Sequence, residues 1–477
     1  MSQQHASPVV TVDELRISPP RGSVPATSLR LTLFDISWII CHPIQRVFFY
    51  DFPHSSSHFR QTTIPSLADS LSLALIHFYP LAARLVTPTL SDERARIFYS
   101  DGDSVSLTVA ETGLQFDRVI SDLPSDVELL HPLLPKLPPN DRPNSEGETS
   151  SPLLAVKVTL FPNSGICIGF EFRHVAADGL AFNHFVKSWA SICKSGGGDL
   201  SWVEKSPPCH DRELIEEHTE LENSILKTIG NYASHWDEGS RQRMLAGKVR
   251  ATFRIDGEHI KRMKASLANH NGSSKQSTPT SAFTVASALL WTSLTKSREP
   301  EFVAASSDEF NSGEDHIDCY VILVDCRGRL KPKLPATYSG NCLSGIQVLV
   351  KRSDLIGGNG FAIAARVIAS KIREMEAEGP LRSAEKFFSF SGWQEIMKQG
   401  NILSVAGSPK LGVYETDFGW GNPRKSEPVH VDFSGSVYFS DARDKEKGGI
   451  EFGLALSKGE LDAFAAAFEQ QLRRFSE

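Results

Sequence analysis

Residues 166–179 read ICIGFEFRHVAADG, a largely apolar run that leads through Arg173 into His174. The segment 166–172 has the composition of a buried strand. After Gly179, apolar residues recur at helical spacing, so a helix is expected to follow. The members of this apolar set are Leu180, Phe182, Phe185, Val186 and Trp189. The stretch therefore predicts a strand-to-helix corner with a histidine at the end of a sheet strand.

His174 is a candidate general base. Near neutral pH an imidazole can take a proton from a hydroxyl and hand it on, and the backbone on both sides would hold the ring while it faces a cleft. A histidine beside an apolar strand is also a common structural residue, and an H-x-x-x-D pattern arises by chance. Gly179 adds only that the backbone at this position can come close to a neighbouring group. Features elsewhere in the chain must decide between the two interpretations.

The length and composition predict a globular protein of two domains. At 477 residues the chain exceeds one ordinary core, so two domains of about 200 residues each are expected. An apolar content of 40%, with 28 Phe and 7 Trp, supplies two packed cores. The 50 basic and 57 acidic residues give a formal charge of −7, and no basic run or aromatic-basic interleaving occurs. We therefore expect no nucleic-acid partner.

The seven cysteines predict neither a metal site nor a disulfide framework, because their number is odd, their spacing is wide and no C-x-x-C occurs. Free thiols in a reducing compartment are expected. The first residues lack the basic and apolar regions of a secretory signal. No uncharged apolar run reaches roughly 18 residues, so no membrane span is expected. These features favour a cytosolic protein.

The chain pattern mixes strands and helices in two unequal halves. Along residues 153–161 apolar side chains recur at every second position, which predicts a strand. The turn at 162–165 joins this strand to the strand before His174 as a hairpin. Proline-broken and glycine-rich segments at 136–152 and 194–210 read as loops. We predict an N-terminal domain over 1–193, which carries H-x-x-x-D. A linker over 194–225 and a C-terminal domain over 226–477 follow.

The second half carries its own strand and helix signals. The final helix is predicted from a capping box, Ser457-x-x-Glu460, ahead of an apolar face. The other predicted helices span about 284–295 and 361–377, and the predicted strands lie at 249–255, 320–325, 413–417, 430–440 and 449–456. Together the two halves favour α/β sandwiches with a cleft between them.

Three further motifs lie downstream: VDCRGR at 324–329, YSGNC at 338–342 and YETDFGWG at 414–421. Each alone fits a turn or a core segment. In this order and spacing, with H-x-x-x-D-G at 174–179, the chain resembles the plant BAHD acyl-CoA-dependent acyltransferases over nearly its full length. The segments from LTLFD at 31–35 to RVFFY at 46–50, and YSGNC, resemble the anthocyanin and flavonoid-glucoside branch, although Ser339 replaces a phenylalanine.

The resemblance implies an α/β fold of two chloramphenicol-acetyltransferase-like domains, with acyl-CoA and acceptor entering a central channel from opposite ends. It implies transfer of an acyl group, malonyl favoured, from CoA to a sugar hydroxyl of a flavonoid, anthocyanin or other phenolic glycoside. A hydroxycinnamoyl donor such as coumaroyl-CoA and an amine acceptor remain alternatives. So does a non-catalytic homologue that keeps the fold. Malonyl-CoA would be a co-substrate, with no permanently bound cofactor, no metal and a monomeric chain.

The resemblance also assigns residues. His174 would be the general base that deprotonates the acceptor hydroxyl. Asp178 would turn away from it and pair with Arg327. Asp417 and Trp420 would shape the channel by packing rather than by chemistry.

The resemblance suggests that the second domain supplies the contacts to CoA. The candidates are Lys248, Thr280, Ser281 and Ser408, although an ordinary solvated lysine and a helix cap explain the same residues. Arg173, beside the motif histidine, could meet a dicarboxylic acyl group or lower the pKa of His174 by repulsion. Alternation along a strand could equally place Arg173 on the opposite sheet face.

Overall fold

The computed structural model describes residues 9–88, 94–141, 143–145, 147–232, 238–270, 280–299, 316–389, 401–443 and 448–476. Its strands form three sheets with helices packed against them. The six-stranded sheet has the order β1 (Val9–Ile17), β6 (Val105–Thr112), β9 (Leu154–Phe161), β10 (Gly165–Phe172), β3 (Ile44–Asp51) and β15 (Lys425–Pro428). The four-stranded sheet has the order β2 (Thr27–Arg30), β5 (Arg96–Tyr99), β4 (Arg84–Pro88) and β8 (Glu148–Pro152).

The seven-stranded sheet belongs mainly to the second half of the chain. Its order is β13 (Leu343–Lys351), β12 (Ile317–Asp325), β14 (Asn401–Gly407), β16 (Val437–Asp441), β17 (Ile450–Ser457), β11 (Lys248–Ile255) and β7 (Ser125–Asp126). Each main sheet takes one strand from the other half, β15 in the first and β7 in the second. The two halves are therefore joined by main-chain hydrogen bonds as well as by side chains.

Four of the described helices in the first half have five residues or fewer, and three have 14 to 16 residues, two of which cover the first sheet. Their bounds are α1 (Leu33–Ile36), α2 (Ser56–His58), α3 (Ile64–His77), α4 (Phe116–Ile120), α5 (Gly179–Lys194), α6 (Ser201–Lys205) and α7 (Thr219–Tyr232). Helices α3 and α5 pack on each other, and the ring nitrogen of the buried Trp189 donates to the Leu67 carbonyl across that contact. The core of this half lies between these helices and the sheet.

The helices of the second half cover the seven-stranded sheet. Their bounds are α8 (Glu238–Leu245), α9 (Gly257–His270), α10 (Ala282–Ser297), α11 (Arg352–Ile356), α12 (Gly360–Glu378), α13 (Pro380–Phe388), α14 (Val431–Ser434) and α15 (Lys458–Arg473). The predicted capping box is confirmed, because Ser457 Oγ accepts from Glu460 N and the Glu460 carboxylate accepts from Ser457 N. A second core lies between α10, α12, α15 and the sheet.

Local sequence explains the hairpin and the corner that follow each other at 154–179. Strands β9 and β10 pair antiparallel with Val158 opposite Ile168, around a turn in which Asn163 has a φ of 59°. Asp178 then caps α5 by accepting from the amides of Leu180 and Ala181. The predicted strand, turn and helix are all confirmed here.

Three local predictions were wrong in part. The segment 413–417 is a 3₁₀ turn, Val413–Glu415, because Gly412 ahead of it takes a left-handed conformation with φ of 61°. Of 430–440 only Val437–Asp441 is a strand, since α14 and the left-handed Gly435 precede it. The predicted loop 194–210 contains the short helix α6. Among the described helices, none combines the length and apolar character needed to cross a bilayer.

Candidate active site

His174 lies where the two halves of the chain meet. It opens a single 3₁₀ turn, His174–Ala176, between β10 and α5. Its ring stacks on Trp38 with centroids 4.0 Å apart and planes 10° from parallel. Trp38 in turn meets the ring of Phe388 edge-on at 6.0 Å. Aromatic walls thus hold the imidazole plane in one orientation.

Asn341, from the second half, fixes the proton on the imidazole. Its side-chain nitrogen donates to Asp35 Oδ1 at 3.1 Å, to the His174 carbonyl at 2.9 Å and to the Val175 carbonyl at 3.2 Å. These acceptors identify the other amide atom as oxygen, and it lies 3.1 Å from His174 Nδ1. Nδ1 therefore carries the hydrogen and Nε2 is left as the basic nitrogen.

The Asp35 carboxylate accepts hydrogen bonds from both nitrogens of Asn341. Its Oδ1 also accepts from Asn341 N at 3.0 Å, while Oδ2 accepts from Thr32 in the capping box of α1. The carboxylate is fully buried, and Arg212 lies 3.6 Å from Oδ2. The His174 ring is therefore oriented through an Asp35–Asn341–His174 chain of hydrogen bonds and not by Asp178.

The environment keeps the imidazole neutral. Burial lowers the pKa of His174, and this outweighs the opposing effects of Asp178, Asn341 and Asp35. A neutral imidazole near pH 7 is the form that can accept a proton. These features leave Nε2 of the His174 ring in a form that can accept a proton.

Asp178 points away from the imidazole and into a buried ion pair. Arg327 donates to Asp178 Oδ2 at 2.8 Å and to Oδ1 at 3.0 Å, and the exposed fractions of the two side chains are 2% and 1%. The guanidinium also donates to the carbonyls of Tyr338 and Gly340. This is the pairing that the resemblance implied. It ties the start of α5 to the YSGNC segment, which positions Asn341.

Asp417 and Trp420 lie in a packing and turn network. Asp417 accepts from Lys194 Nζ at 2.7 Å and from the amides of Gly419 and Gly421. Trp420 packs against the rings of Phe52 at 5.3 Å and Tyr50 at 5.6 Å. Neither side chain contacts His174. Their place agrees with a structural role for D-F-G-W-G.

The Arg173 side chain binds protein groups on the side of the strand end away from the His174 ring. Its Nε donates to the Pro152 carbonyl at 3.2 Å, and Nη2 donates to Asn140 Oδ1 at 2.8 Å. These bonds hold the guanidinium against the segment before β9, whereas the His174 ring faces Trp38 and Asn341. The donor-carboxylate contact predicted for Arg173 stays a prediction, and a donor would have to approach a guanidinium that already donates to these two protein acceptors.

The residues predicted to contact CoA do not form one cluster. Ser281 caps α10, and the ring of Phe283 in that helix meets Phe439, whose strand neighbour is Gly407. Thr280 and Ser408 therefore lie near Ser281, at one end of the second sheet. Lys248 is the first residue of β11 and stands opposite Ser457 in β17, towards the other end of the same sheet. Its ammonium donates to the Asp432 carbonyl at 3.0 Å.

Sequence reasoning gave no role to Trp38, Asp35 or Asn341, although LTLFD and YSGNC contain two of them. The signal was present in those motifs: a buried carboxylate and a buried amide each need partners. What the sequence lacked was the contact itself, since Asn341 is 167 positions from His174.

Comparison with known proteins identifies the family. The Transferase family model matches residues 8–471. Coumaroyl-CoA:anthocyanidin 3-O-glucoside-6''-O-coumaroyltransferase 1 of Arabidopsis thaliana is 37% identical, over 99% of this chain and 99% of that protein. Malonyl-coenzyme A:anthocyanin 3-O-glucoside-6''-O-malonyltransferase of Dahlia pinnata is 33% identical over 97% of both chains. Phenolic glucoside malonyltransferase 1 of Nicotiana tabacum is 35% identical, over 96% of this chain and 98% of that protein.

Among solved structures, vinorine synthase has the same fold. It superposes with a TM-score of 0.63 at 21% identity, over 95% of this chain and 96% of that one. The predicted α/β fold of the acyltransferase family is thereby confirmed. With the family model and the full-length relatives, these findings show that the chain belongs to the Transferase family, the BAHD acyl-CoA-dependent acyltransferases.

Proposed function

We propose that the protein transfers an acyl group from acyl-CoA to a sugar hydroxyl of an anthocyanin, flavonoid or other phenolic glycoside, with His174 as general base. The observation that carries this proposal is a neutral, half-buried imidazole whose Nδ1 is held by Asn341 and whose Nε2 has no hydrogen-bond partner among the described residues. The full-length relatives, which are named as glucoside acyltransferases, support the acceptor class.

In the proposed reaction His174 Nε2 takes the proton of the acceptor hydroxyl as that oxygen attacks the thioester carbonyl. The tetrahedral intermediate collapses with cleavage of the carbon–sulfur bond, and the imidazolium returns the proton to the departing CoA thiolate. Asn341 Oδ1 accepts the Nδ1 hydrogen throughout and stabilises the imidazolium between the two transfers. No covalent enzyme intermediate is required.

Malonyl-CoA is the donor that we favour, and coumaroyl-CoA is the second candidate. The Dahlia and tobacco relatives carry malonyltransferase names, whereas the Arabidopsis relative is a coumaroyltransferase. The stack of Trp38 on His174, with Phe388 at its edge, specifically favours the second candidate, because an aromatic acyl group would pack there. For CoA itself we keep Thr280, Ser281, Ser408 and Lys248 as proposed contacts.

The test is a donor panel with purified protein and cyanidin or flavonol glucosides. Malonyl-, coumaroyl- and acetyl-CoA are supplied separately, and free thiol and product mass are followed. Ester formation on the sugar supports the proposed function, and the preferred donor decides between the two candidates. No transfer to any glycoside would overturn the acceptor class, and an amine panel would then test the alternative of amide formation.

Replacing Asn341 by alanine is expected to lower kcat by about 10²-fold, with a smaller effect on KM for acyl-CoA. The Nδ1 hydrogen would lose its acceptor, so the imidazole could take the other tautomer or rotate, and such ring-orienting partners are typically worth about 10- to 100-fold. Steady-state kinetics on the donor identified above measures the effect. A variant with unchanged kcat would remove Asn341 from the mechanism.

The pH dependence should show an acid limb below the ordinary imidazole value of about 6.5. The neutral imidazole is the active form, and burial lowers the pKa of His174, so acidification inactivates the enzyme only once the pH falls through that lowered pKa. The measurement is kcat/KM for the acceptor across neutral and acidic pH. A limb with its midpoint above neutrality would contradict a desolvated base.

A further inference from the structure

Arg212 lies beside the Asp35–Asn341–His174 chain, although it belongs to the segment between the two halves of the protein. It opens a short 3₁₀ turn and is 3% exposed. Its Nε lies 3.6 Å from Asp35 Oδ2, and its Nη1 donates to the Ser339 carbonyl at 2.6 Å. One guanidinium thus contacts both the carboxylate that binds Asn341 and the main chain two residues before it.

Main-chain hydrogen bonds fix the position of Arg212 next to the YSGNC segment. Cys209 N donates to the Thr337 carbonyl at 2.9 Å, and Ser339 N donates to the Cys209 carbonyl at 2.8 Å. Arg30, in β2, donates to the Arg212 carbonyl at 2.8 Å. These bonds hold the backbone around Arg212 in register with YSGNC, so the arginine side chain starts from a defined place.

The guanidinium of Arg212 occupies the space that a side chain at position 340 would need. It lies over the Tyr338 ring, with its carbon 5.1 Å from the ring centroid. A Cβ atom on Gly340 would lie 2.5 Å from Arg212 Nη1 and 2.6 Å from Nη2. These distances are shorter than the roughly 3.5–4.0 Å at which heavy atoms pack. Glycine therefore lets the guanidinium pack directly on the main chain one residue before Asn341.

The buried charge of Asp35 explains what a cation adds at this place. The carboxylate is fully buried, and it accepts from N and Oγ1 of Thr32 and from N and Nδ2 of Asn341. These donors are uncharged, and a buried carboxylate is costly unless a cation pairs with it. Burial alone would lower the pKa of the Arg212 guanidinium, but Tyr338 and Asp35 outweigh that effect and raise the pKa. Without Arg212 the carboxylate would be driven towards water and away from Asn341.

We propose that Arg212 is a positioning residue for the base: it holds the Asp35 carboxylate and the main chain at 339–340, and thereby keeps Asn341 Oδ1 on His174 Nδ1. This inference rests on the proposed function, in which His174 Nε2 accepts the proton. The path is continuous, with 3.6 Å from Arg212 to Asp35, 3.1 Å from Asp35 to the side-chain nitrogen of Asn341 and 3.1 Å from Asn341 to His174. If Asn341 moved, the imidazole could take the tautomer in which Nε2 carries the hydrogen.

The first test compares wild type with Arg212→Ala and Arg212→Lys, using cyanidin glucoside and the faster of malonyl-CoA and coumaroyl-CoA. We expect kcat of Arg212→Ala to fall about 10- to 100-fold, the range for partners that orient a histidine ring, with KM for acyl-CoA changed less than about threefold. Lysine keeps a positive charge near Asp35 but cannot also reproduce the bond to the Ser339 carbonyl. The kcat of Arg212→Lys should therefore lie between those of the other two proteins.

Chemical rescue separates the charge of Arg212 from its packing. Arg212 lines a cavity of about 510 Å³ together with Ile36, Ile39 and Leu226, so a small solute can reach the space that the arginine leaves. Methylguanidinium, at concentrations that leave wild-type kcat unchanged, should raise kcat of Arg212→Ala at least about threefold, because it restores a charged contact to Asp35. The neutral analogue methylurea at the same concentrations should not.

Gly340→Ala tests the position of the guanidinium without removing it. The added methyl group would push the guanidinium off the main chain, so we expect kcat to fall about tenfold, within the coupling range of residues in contact. In the Arg212→Ala background the methyl group has room. There the same substitution should change kcat by less than about twofold, which is the non-additivity that a direct contact produces.

The control is Arg352→Ala, which removes a buried arginine from the second half. Arg352 opens α11, and its guanidinium donates to Asp318 Oδ1 at 2.7 Å. This variant should lose stability but keep wild-type kcat at a temperature at which it is folded. Its kcat should not respond to methylguanidinium.

The outcomes separate this inference from the proposed function. Wild-type kcat in Arg212→Ala, or a kcat loss that methylguanidinium reverses no better than methylurea, would overturn the role of Arg212 while acyl transfer stands. Where Arg212→Ala does not fold, Arg212→Lys and Gly340→Ala decide: wild-type kcat in both overturns the role, and lower kcat at unchanged KM for acyl-CoA supports it. A wild-type enzyme that acylates no glycoside with any donor would overturn the proposed function and this inference with it. A kcat loss that only methylguanidinium reverses supports the inference.

Discussion

Replacing His174 by alanine is expected to lower kcat by about 10²- to 10⁴-fold, the range that a positioned general base contributes. The imidazole is the basic group that the site orients: Trp38 holds its plane and Asn341 holds its Nδ1 hydrogen. The measurement is thiol release and ester formation at saturating donor and acceptor. Because the ring is expected to act on the acceptor hydroxyl, the affinity for acyl-CoA should change much less than kcat.

The matched control for His174→Ala is His259→Ala. His259 lies on α9, where it pairs with Asp256 at 2.8 Å, and it has no contact with the site. This variant should keep wild-type kcat and KM. If His174→Ala kept more than about a tenth of wild-type kcat, another group would have to be the base and the proposed mechanism would fail.

Replacing Arg327 by alanine is expected to destabilise the fold by about 3–5 kcal/mol, the usual result of removing one partner of a buried ion pair. Asp178 would remain as an uncompensated charge with an exposed fraction of 1%, and the carbonyls of Tyr338 and Gly340 would lose their donor. Urea denaturation followed by tryptophan fluorescence measures the loss. Arg327→Lys should recover little, because a single ammonium cannot reproduce the bidentate contact.

An exposed pair provides the control for Arg327→Ala. Arg424 and Asp51 have exposed fractions of 53% and 55%, so Arg424→Ala should cost no more than about 1 kcal/mol. The comparison also decides the role of Asp178. An Arg327→Ala protein with wild-type stability but almost no kcat would mean that the pair acts in the chemistry; lost stability with residual kcat would agree with a structural role.

The sequence by itself determined the elements around the site. Alternation at 154–161 specifies a strand, the short turn fixes its hairpin partner, and Asp178 starts α5 by capping it. These features depend on residues within a few positions of each other, so local physics is enough to predict them. The two segments wrongly predicted as strands, around 413–417 and 430–435, failed because left-handed glycines turned the backbone.

The tertiary structure decided which groups serve the imidazole. Asn341 reaches His174 across 167 positions, and Trp38 stacks on it from a different segment. Arg173 is adjacent to His174 in the sequence, but its guanidinium donates to the Pro152 carbonyl and to Asn140 Oδ1 and not to the groups around the imidazole. Such choices depend on which faces pack together, and a sequence pattern carries the period of a strand but not the partner that its face meets.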